Sequence, residues 1–213
     1  MRLFRKILAN LLPHKIKSFN DSSSYWKNRY YFGGNSGKGS YGQEAEFKAQ
    51  HLNNLIKKFN FDAIIELGCG DGNNAKYYDT NNYFGFDISS YVVEICKKKF
   101  KKRTNFNFFE IDENFPQKIS DIKKSYNLQN ELVISFDVMF HLIEDSIYED
   151  YINKLEITSN KFMLIYSTDF DGNGTMSHVK HRAYSADLAN KGWKELTDDT
   201  VVYSDKFMKL FKK

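Results

Sequence analysis

Proline and cysteine are scarce: 213 residues hold two of each, Pro13, Pro116, Cys69 and Cys96. Two cysteines cannot build a disulfide framework, so the chain reads as one of a reducing compartment, the cytoplasm. No apolar run approaches the roughly 18 residues that a membrane span requires. The opening MRLFRKILANLLPHKIK is too broken by charge for a secretory signal. No acid precedes Asp21, and the net charge is +4, a mild excess that permits nucleic acid without requiring it. A hydrophobic fraction of 41% with 27% charged residues excludes a disordered chain. The length suits one domain with a sizeable core and some extra at the ends.

Two parts are legible, residues 1–43 and residues 44–213. Leu3, Phe4, Ile7, Leu8, Leu11 and Leu12 share one helical stripe, with Arg2, Arg5 and Lys6 off it. That pattern predicts a basic N-terminal helix, packed on its own domain or making a weak contact with a membrane surface or partner. Residues 32–42, FGGNSGKGSYG, carry five glycines and predict a loop. Glu44 to Phe59 has apolar residues at helical spacing. FDAIIELGCGDG then reads as a buried strand feeding a tight turn, and NYFGFDIS as a second strand. Tyr91 to Phe100 is a helix, NFNFFEID and LVISFDVMF are strands, Tyr148 to Ile157 is a helix and KFMLIYST is a fifth strand. GWKELTDDTVVY and DKFMKLFKK close the sheet as an antiparallel pair. This alternation predicts an α/β domain, a doubly wound, mostly parallel sheet with helices on both faces.

The strongest motif is Glu66-Leu67-Gly68-Cys69-Gly70-Asp71-Gly72, placed between a predicted strand and a predicted helix. Glycine lets backbone approach a ligand closely, and ligands of open α/β sheets bind beyond the carboxyl ends of the strands. The dinucleotide fingerprint would require glycine at position 73, which is Asn73, and this disfavours a nicotinamide enzyme. Asp87 ends the next strand, where a carboxylate can accept both hydroxyls of a ribose.

IIELGCGDG, FGFDIS and VISFDVMFHL together resemble the class I S-adenosylmethionine (SAM)-dependent methyltransferases over about residues 60–170. The resemblance implies a Rossmann-like, seven-stranded sheet with an antiparallel last strand. It implies Glu66 near the methionine amino group, Gly68, Gly70 and Gly72 as the cofactor turn, and Asp87 on the ribose. Ile88 would flank the adenine, Asp112 would reach its amino group, and Asp137 would sit near the methionine end and the reacting centre. The leader YWKNRYYFGGNSGKGSYG and the later HVKHRAYSADLANKGWKEL are similar to a bacterial methyltransferase group tied to surface-polysaccharide pathways such as capsule and O-antigen synthesis. That likeness implies Tyr25, Arg29, Tyr30 and the loop through Ser40 and Tyr41 as a lid folded over the cofactor.

Methyl transfer from a sulfonium depends on alignment, and a hydroxyl or amine acceptor requires a general base near the methyl group. His141, Asp137, His178 and His181 are the candidates, with His141 just past the fourth strand. His178, His181 and Arg182 are expected to bind the acceptor, Arg182 through a phosphate or carboxylate. Asp137, Asp169, Asp171, His178 and His181 make a mixed carboxylate–imidazole set, and no metal is expected there. The expected acceptor is a small polar molecule, an activated sugar or related glycan precursor. An RNA methyltransferase and a non-catalytic SAM-binding scaffold are the competing expectations. The run Lys97–Arg103 is read as a solvated helix end rather than a nucleic-acid surface. The two-proline aromatic motif of base-amino methylases and a Pro-Cys nucleophile pair are both absent.

Overall fold

The computed structural model describes residues 19–213. The predicted helix over residues 3–12 lies outside them. The first described element is helix α1 (Ser22–Tyr31), capped by Asp21, whose side chain accepts from the Ser24 N–H at 2.7 Å. A loop with a short 3₁₀ turn leads into α2 (Gly42–Phe59), which buries Ala45, Ala49, Leu52 and Leu55 at helical spacing. It ends at Asn60 in the left-handed region, φ 53°.

The alternation then runs as expected, with one exception. Strand β1 (Ala63–Leu67) is buried along its length, as is β2 (Tyr83–Asp87). Between them the glycine turn leads only into a single 3₁₀ turn, Ala75–Tyr77, where a helix is predicted. Gly72 at φ 65° and the two asparagines after it are poor material for a longer helix. Helix α3 (Ser90–Lys99) is capped by Ser89, and Lys97, Lys98 and Lys99 complete its last turn, where cations suit the helix dipole. Next come β3 (Phe106–Glu110), α4 (Phe115–Ser125) with proline in its first turn, β4 (Glu131–Phe136), α5 (Asp145–Thr158) and β5 (Phe162–Ser167). Strands β6 (Gly172–Asn173) and β7 (Lys180–His181) form a separate hairpin. Helix α6 (Tyr184–Asn190), β8 (Lys194–Glu195), β9 (Val201–Tyr203) and β10 (Lys206–Lys212) finish the chain.

The main sheet has the order β3-β2-β1-β4-β5-β10-β8, with β9 paired to β10. Strands β1 to β5 are parallel, and β10 lies antiparallel to β5. The sheet therefore has eight strands, one more than the seven expected, because the short β9 adds to the antiparallel edge. One core layer packs α2 and α3 against Ile64, Leu132, Ile134 and Leu210. The other packs α4, α5 and α6 against Ile65, Leu67, Phe84 and Phe86. Each such side chain, fully buried, stabilises the fold by about 1.5–3 kcal/mol. The order reverses between β1 and β4, and crevices of open α/β sheets form at such a switch point.

Candidate active site

The turn after β1 is built by backbone. The N–H groups of Gly68 and Cys69 both donate to the carbonyl of Phe86, at 2.7 and 3.0 Å. Gly68 and Gly70 take φ of 82° and 53°, a region that side chains disfavour. The turn wraps the Asp87 carboxylate: Oδ2 accepts from the Gly70 N–H and Oδ1 from the Ser89 N–H, each at 2.9 Å. Burial pushes Asp87 up to about 6, while the backbone donors pull the other way. Each oxygen keeps a lone pair for a further donor.

Helix α1 roofs the crevice. At its start, Ser22 Oγ donates to Glu144 at 2.6 Å and accepts from the Ile143 N–H at 3.0 Å, which ties α1 to the loop after β4. At the other end the Gly-rich loop clasps the glycine turn through Asp71. Tyr41 OH donates to Asp71 Oδ2 at 2.6 Å, the Ser36 N–H donates to the same oxygen at 3.2 Å, and the Asp71 N–H donates to Ser36 Oγ at 2.9 Å. Tyr30 OH meets Ser36 Oγ at 3.1 Å, and Asn73 donates to the Ser40 carbonyl. Roof and sheet end enclose a cavity of about 510 Å³.

Several expected residues line it: Gly68, Asp87, Ile88, Asp112, Asp137 and His141, with Tyr30 and Ser40 of the lid. Asp112 is held ionised by Lys118, whose ammonium lies 2.6 Å from Oδ2. His141 Nδ1 lies 2.9 Å from the carbonyl of His178. Its ring sits edge-on to Trp26 at 4.8 Å and against Phe140 at 4.4 Å. Burial pushes His141 down to about 4.

Other expected residues lie elsewhere. Glu66 is buried beneath the turn, where it accepts from Tyr83 OH at 2.5 Å, and burial raises it to about 7. It does not line the cavity. Gly70 faces Ser36 and Tyr30 of the lid. Gly72 faces Phe100 and Cys96 of the core, where a Cβ would lie 2.9 and 3.1 Å away, and it does not line the cavity. Tyr41 belongs to the Asp71 clasp. Tyr25 stacks on His178 at 4.6 Å, and Arg29 Nε donates to the Asn35 carbonyl at 2.6 Å; both brace the roof from outside the cavity.

The HVKHR cluster is split. His178 contributes its carbonyl to His141, and its own ring stacks outside the cavity. His181 meets Thr168 Oγ1 at 2.8 Å and opens on a second cleft between α5 and α6. Arg182 holds Asp145 at 2.5 Å and the carbonyls of Leu142 and Ile143 at 2.9 Å each. Its terminal nitrogens are held by Asp145 and by the loop after β4, Nε is buried without a partner among the described residues, and the side chain borders the second cleft rather than the cavity. Asp169 is tied to Ser185 and Lys209, and Asp171 accepts from the Ala183 N–H, so neither joins Asp137. Among the described residues, no group of three or more His, Cys, Asp or Glu is arranged to hold a metal.

Sequence reasoning missed Trp26, Ser36, Asn74, Ile111, Leu142 and Tyr151 in the wall. Trp26 had a signal: Asp21 as a cap, then Ser22, Trp26 and Tyr30 at i, i+4 and i+8, one face of a helix.

Residues 65–147 match the family described as "Methyltransferase domain". The chain is a methyltransferase. Its methyl donor is SAM. Curated protein sequences give no match to this methyltransferase. Among solved structures, it is similar to the N-methyltransferase NodS from Bradyrhizobium japonicum in complex with S-adenosylhomocysteine. That match has 13% identity and a TM-score of 0.58, over 80% of this chain and 87% of that one. Magnesium protoporphyrin IX methyltransferase (ChlM) from Synechocystis, with bound SAM, matches at 14% identity and TM-score 0.56, over 91% and 97%. The methyltransferase domain of bacterial CtHen1 matches at 18% identity and TM-score 0.55, over 78% and 97%. These likenesses fix the fold. The cavity wall suits the donor: it carries Asp87, an acid with spare lone pairs, the bare Gly68, the apolar side chains of Ile88, Ile111 and Leu142, and the ionised Asp112.

Proposed function

We propose that this methyltransferase acts on a hydroxyl, or an amine, of a small polar acceptor, an activated sugar or related precursor of a surface glycan, with His141 as general base. The state of His141 carries the reading. A carbonyl only accepts, so the bond to His178 assigns the ring proton to Nδ1 and leaves a lone pair on Nε2. Burial keeps the ring neutral across the physiological range, ready to accept without first losing a proton.

SAM, when bound, supplies an electrophilic methyl group and departs as an uncharged thioether. An acceptor oxygen becomes strongly acidic as its bond to carbon forms, so even a weakly basic imidazole takes the proton downhill. His141 Nε2 receives that proton. Asp87 would accept the ribose hydroxyls, Gly68, whose missing Cβ makes room for Val138, would present bare backbone to the donor, and Ile88, Ile111 and Leu142 would flank the adenine with Asp112 at its amino group. Asp137 receives the methionine end. Helix α1 and the clasped loop exclude water. Asp137 is set aside as a base, because lysine ammonium groups occupy both its oxygens.

Two features favour a sugar-like acceptor. Trp26 offers an apolar ring at the His141 end of the cavity, and Lys27 on the same helix offers a cation for a phosphate. The leader around Tyr25 to Tyr41 also resembles that of the surface-glycan group. The test is S-adenosylhomocysteine formation with separate pools of nucleotide sugars, small amines and transfer RNA. Turnover on nucleotide sugars, lost in His141→Gln, is expected. Turnover on RNA alone would overturn the acceptor class.

A further inference from the structure

Three segments far apart in sequence converge on one carboxylate in the cavity wall. Asp137 Oδ2 accepts from Lys48 Nζ of α2 at 2.5 Å, and Oδ1 accepts from Lys206 Nζ of β10 at 2.6 Å. Lys206 also reaches Glu44 Oε1 at 2.5 Å, and Tyr166 OH donates to that same oxygen at 3.0 Å. The Lys48 side chain is 0% exposed, Lys206 18% and Asp137 11%. The Asp137 backbone is itself held in the left-handed region, φ 59°, with its N–H donating to the Tyr166 carbonyl at 2.8 Å. Buried ions and strained backbone are both costly, and apolar residues would serve packing better. Such devices concentrate where a fold holds a group for a ligand.

We propose that Lys48 and Lys206 are positioning residues, which keep Asp137 ionised and turned toward the cavity to receive the ammonium group of the methyl donor's methionine moiety. This rests on the reading that Asp137 is the anchor for that moiety. The charges facing Asp137 fit the role. From α2 come Lys48 and Glu44, from β10 Lys206, from β5 Tyr166, and from its own segment His141, held neutral; Glu66 of β1 and Tyr78 lie behind. Two ammonium groups balance two carboxylates. Burial pushes Asp137 up, and Lys48 and Lys206 together more than reverse it. Remove one lysine and the buried acids are in excess, so Asp137 takes up a proton and can no longer receive a cation. Gly39 of the lid rests on the same group: a Cβ there would lie 2.7 Å from Asp137 Oδ2, so the closed loop covers the anchor.

The test compares two ligands by calorimetry. S-adenosylhomocysteine carries the amino-acid moiety, whereas 5′-methylthioadenosine shares its adenine, ribose and sulfur but lacks that moiety. In Lys206→Met and Lys48→Met, S-adenosylhomocysteine should bind about tenfold or more weakly than in the parent, and the deficit should widen from about pH 8 to about pH 6. Binding of 5′-methylthioadenosine should stay within about twofold, and Lys206→Arg should restore much of the loss. Asp137→Asn should weaken S-adenosylhomocysteine without the added pH dependence. If Asp137→Asn leaves that affinity unchanged, the anchor reading fails, and the lysine roles with it. If Asp137→Asn weakens it while the lysine variants match the parent, the positioning inference alone is overturned. Equal losses for both ligands would make the lysines supports of the fold and also overturn it. Lys206→Met, at a partly exposed site, carries the test if Lys48→Met does not fold.

Discussion

Replacing Asp87 by asparagine tests the ribose site with a magnitude that follows from the structure. The carboxylate lies 5% exposed at the tip of β2, with one backbone N–H on each oxygen. Asparagine keeps one acceptor and turns a donor toward the other N–H, so one backbone bond is lost along with the charge. A hydrogen bond to a charged partner contributes about 1.5–3 kcal/mol, which is roughly ten- to a hundredfold in Kd. The pH dependence adds a second signature. Because burial lifts Asp87 to about 6, the parent should hold S-adenosylhomocysteine firmly above that pH. Affinity should then fall as pH drops through it, by about tenfold per unit below. The asparagine variant should show weak and flat binding over the same range. Isothermal titration from about pH 8 to about pH 5 measures both, with thermal melts to establish that the variant is folded. A folded Asp87→Asn protein that binds within about twofold of the parent, with the parent's pH slope, would refute the ribose assignment.

Other perturbations separate the remaining roles. His141→Gln should lower kcat by about 10²–10⁴ while S-adenosylhomocysteine affinity holds, and an unchanged kcat would remove His141 from the chemistry. Because burial places His141 near 4, the parent kcat profile should lack an acid limb at the ordinary histidine value; a limb there would contradict the enclosed ring. Asp71→Ala removes the acceptor shared by Tyr41 and Ser36, so stopped-flow release of S-adenosylhomocysteine should quicken; an unchanged rate would mean the loop does not gate it. Arg182→Met leaves the carbonyls of Leu142 and Ile143 unbonded and should cost about 1–3 kcal/mol of stability with acceptor KM unchanged. A raised KM with no change in melting would restore Arg182 to the acceptor site.

Much of the fold was legible because its signals are local. Buried five-residue strands such as AIIEL and YFGFD, each followed by a break in the pattern, announce a parallel sheet without any knowledge of partners. Helix α1 escaped because its apolar face is aromatic and serine-rich, and the Gly-rich loop beside it drew the reading toward irregular chain. Helix α4 and the β6–β7 hairpin were passed over because one carries Pro116 in its first turn and the other has only two residues in each strand. Within the site, Asp87 and Asp137 were legible because strand-end acids follow from the topology. Arg182 and His178 misled for a physical reason: both flank the two-residue strand Lys180–His181 rather than lie in it, so no periodicity fixes where they face, and a side chain's partners can lie 40 residues away, as Leu142 does for Arg182. Lys48 and Lys206 carry no sequence signal, since each looks like one more lysine on a lysine-rich chain until α2 and β10 bring both to Asp137.

A crystal structure with S-adenosylhomocysteine tests the central claim most directly: that the crevice between β1, β2 and β4, roofed by α1, holds the methyl donor beside His141. The ribose hydroxyls should lie within hydrogen-bond distance of Asp87, the adenine between Ile88 and Leu142 with its amino group at Asp112, and the sulfur on the side of His141. A ligand bound in the second cleft, or in the crevice with its sugar turned away from Asp87, would contradict it.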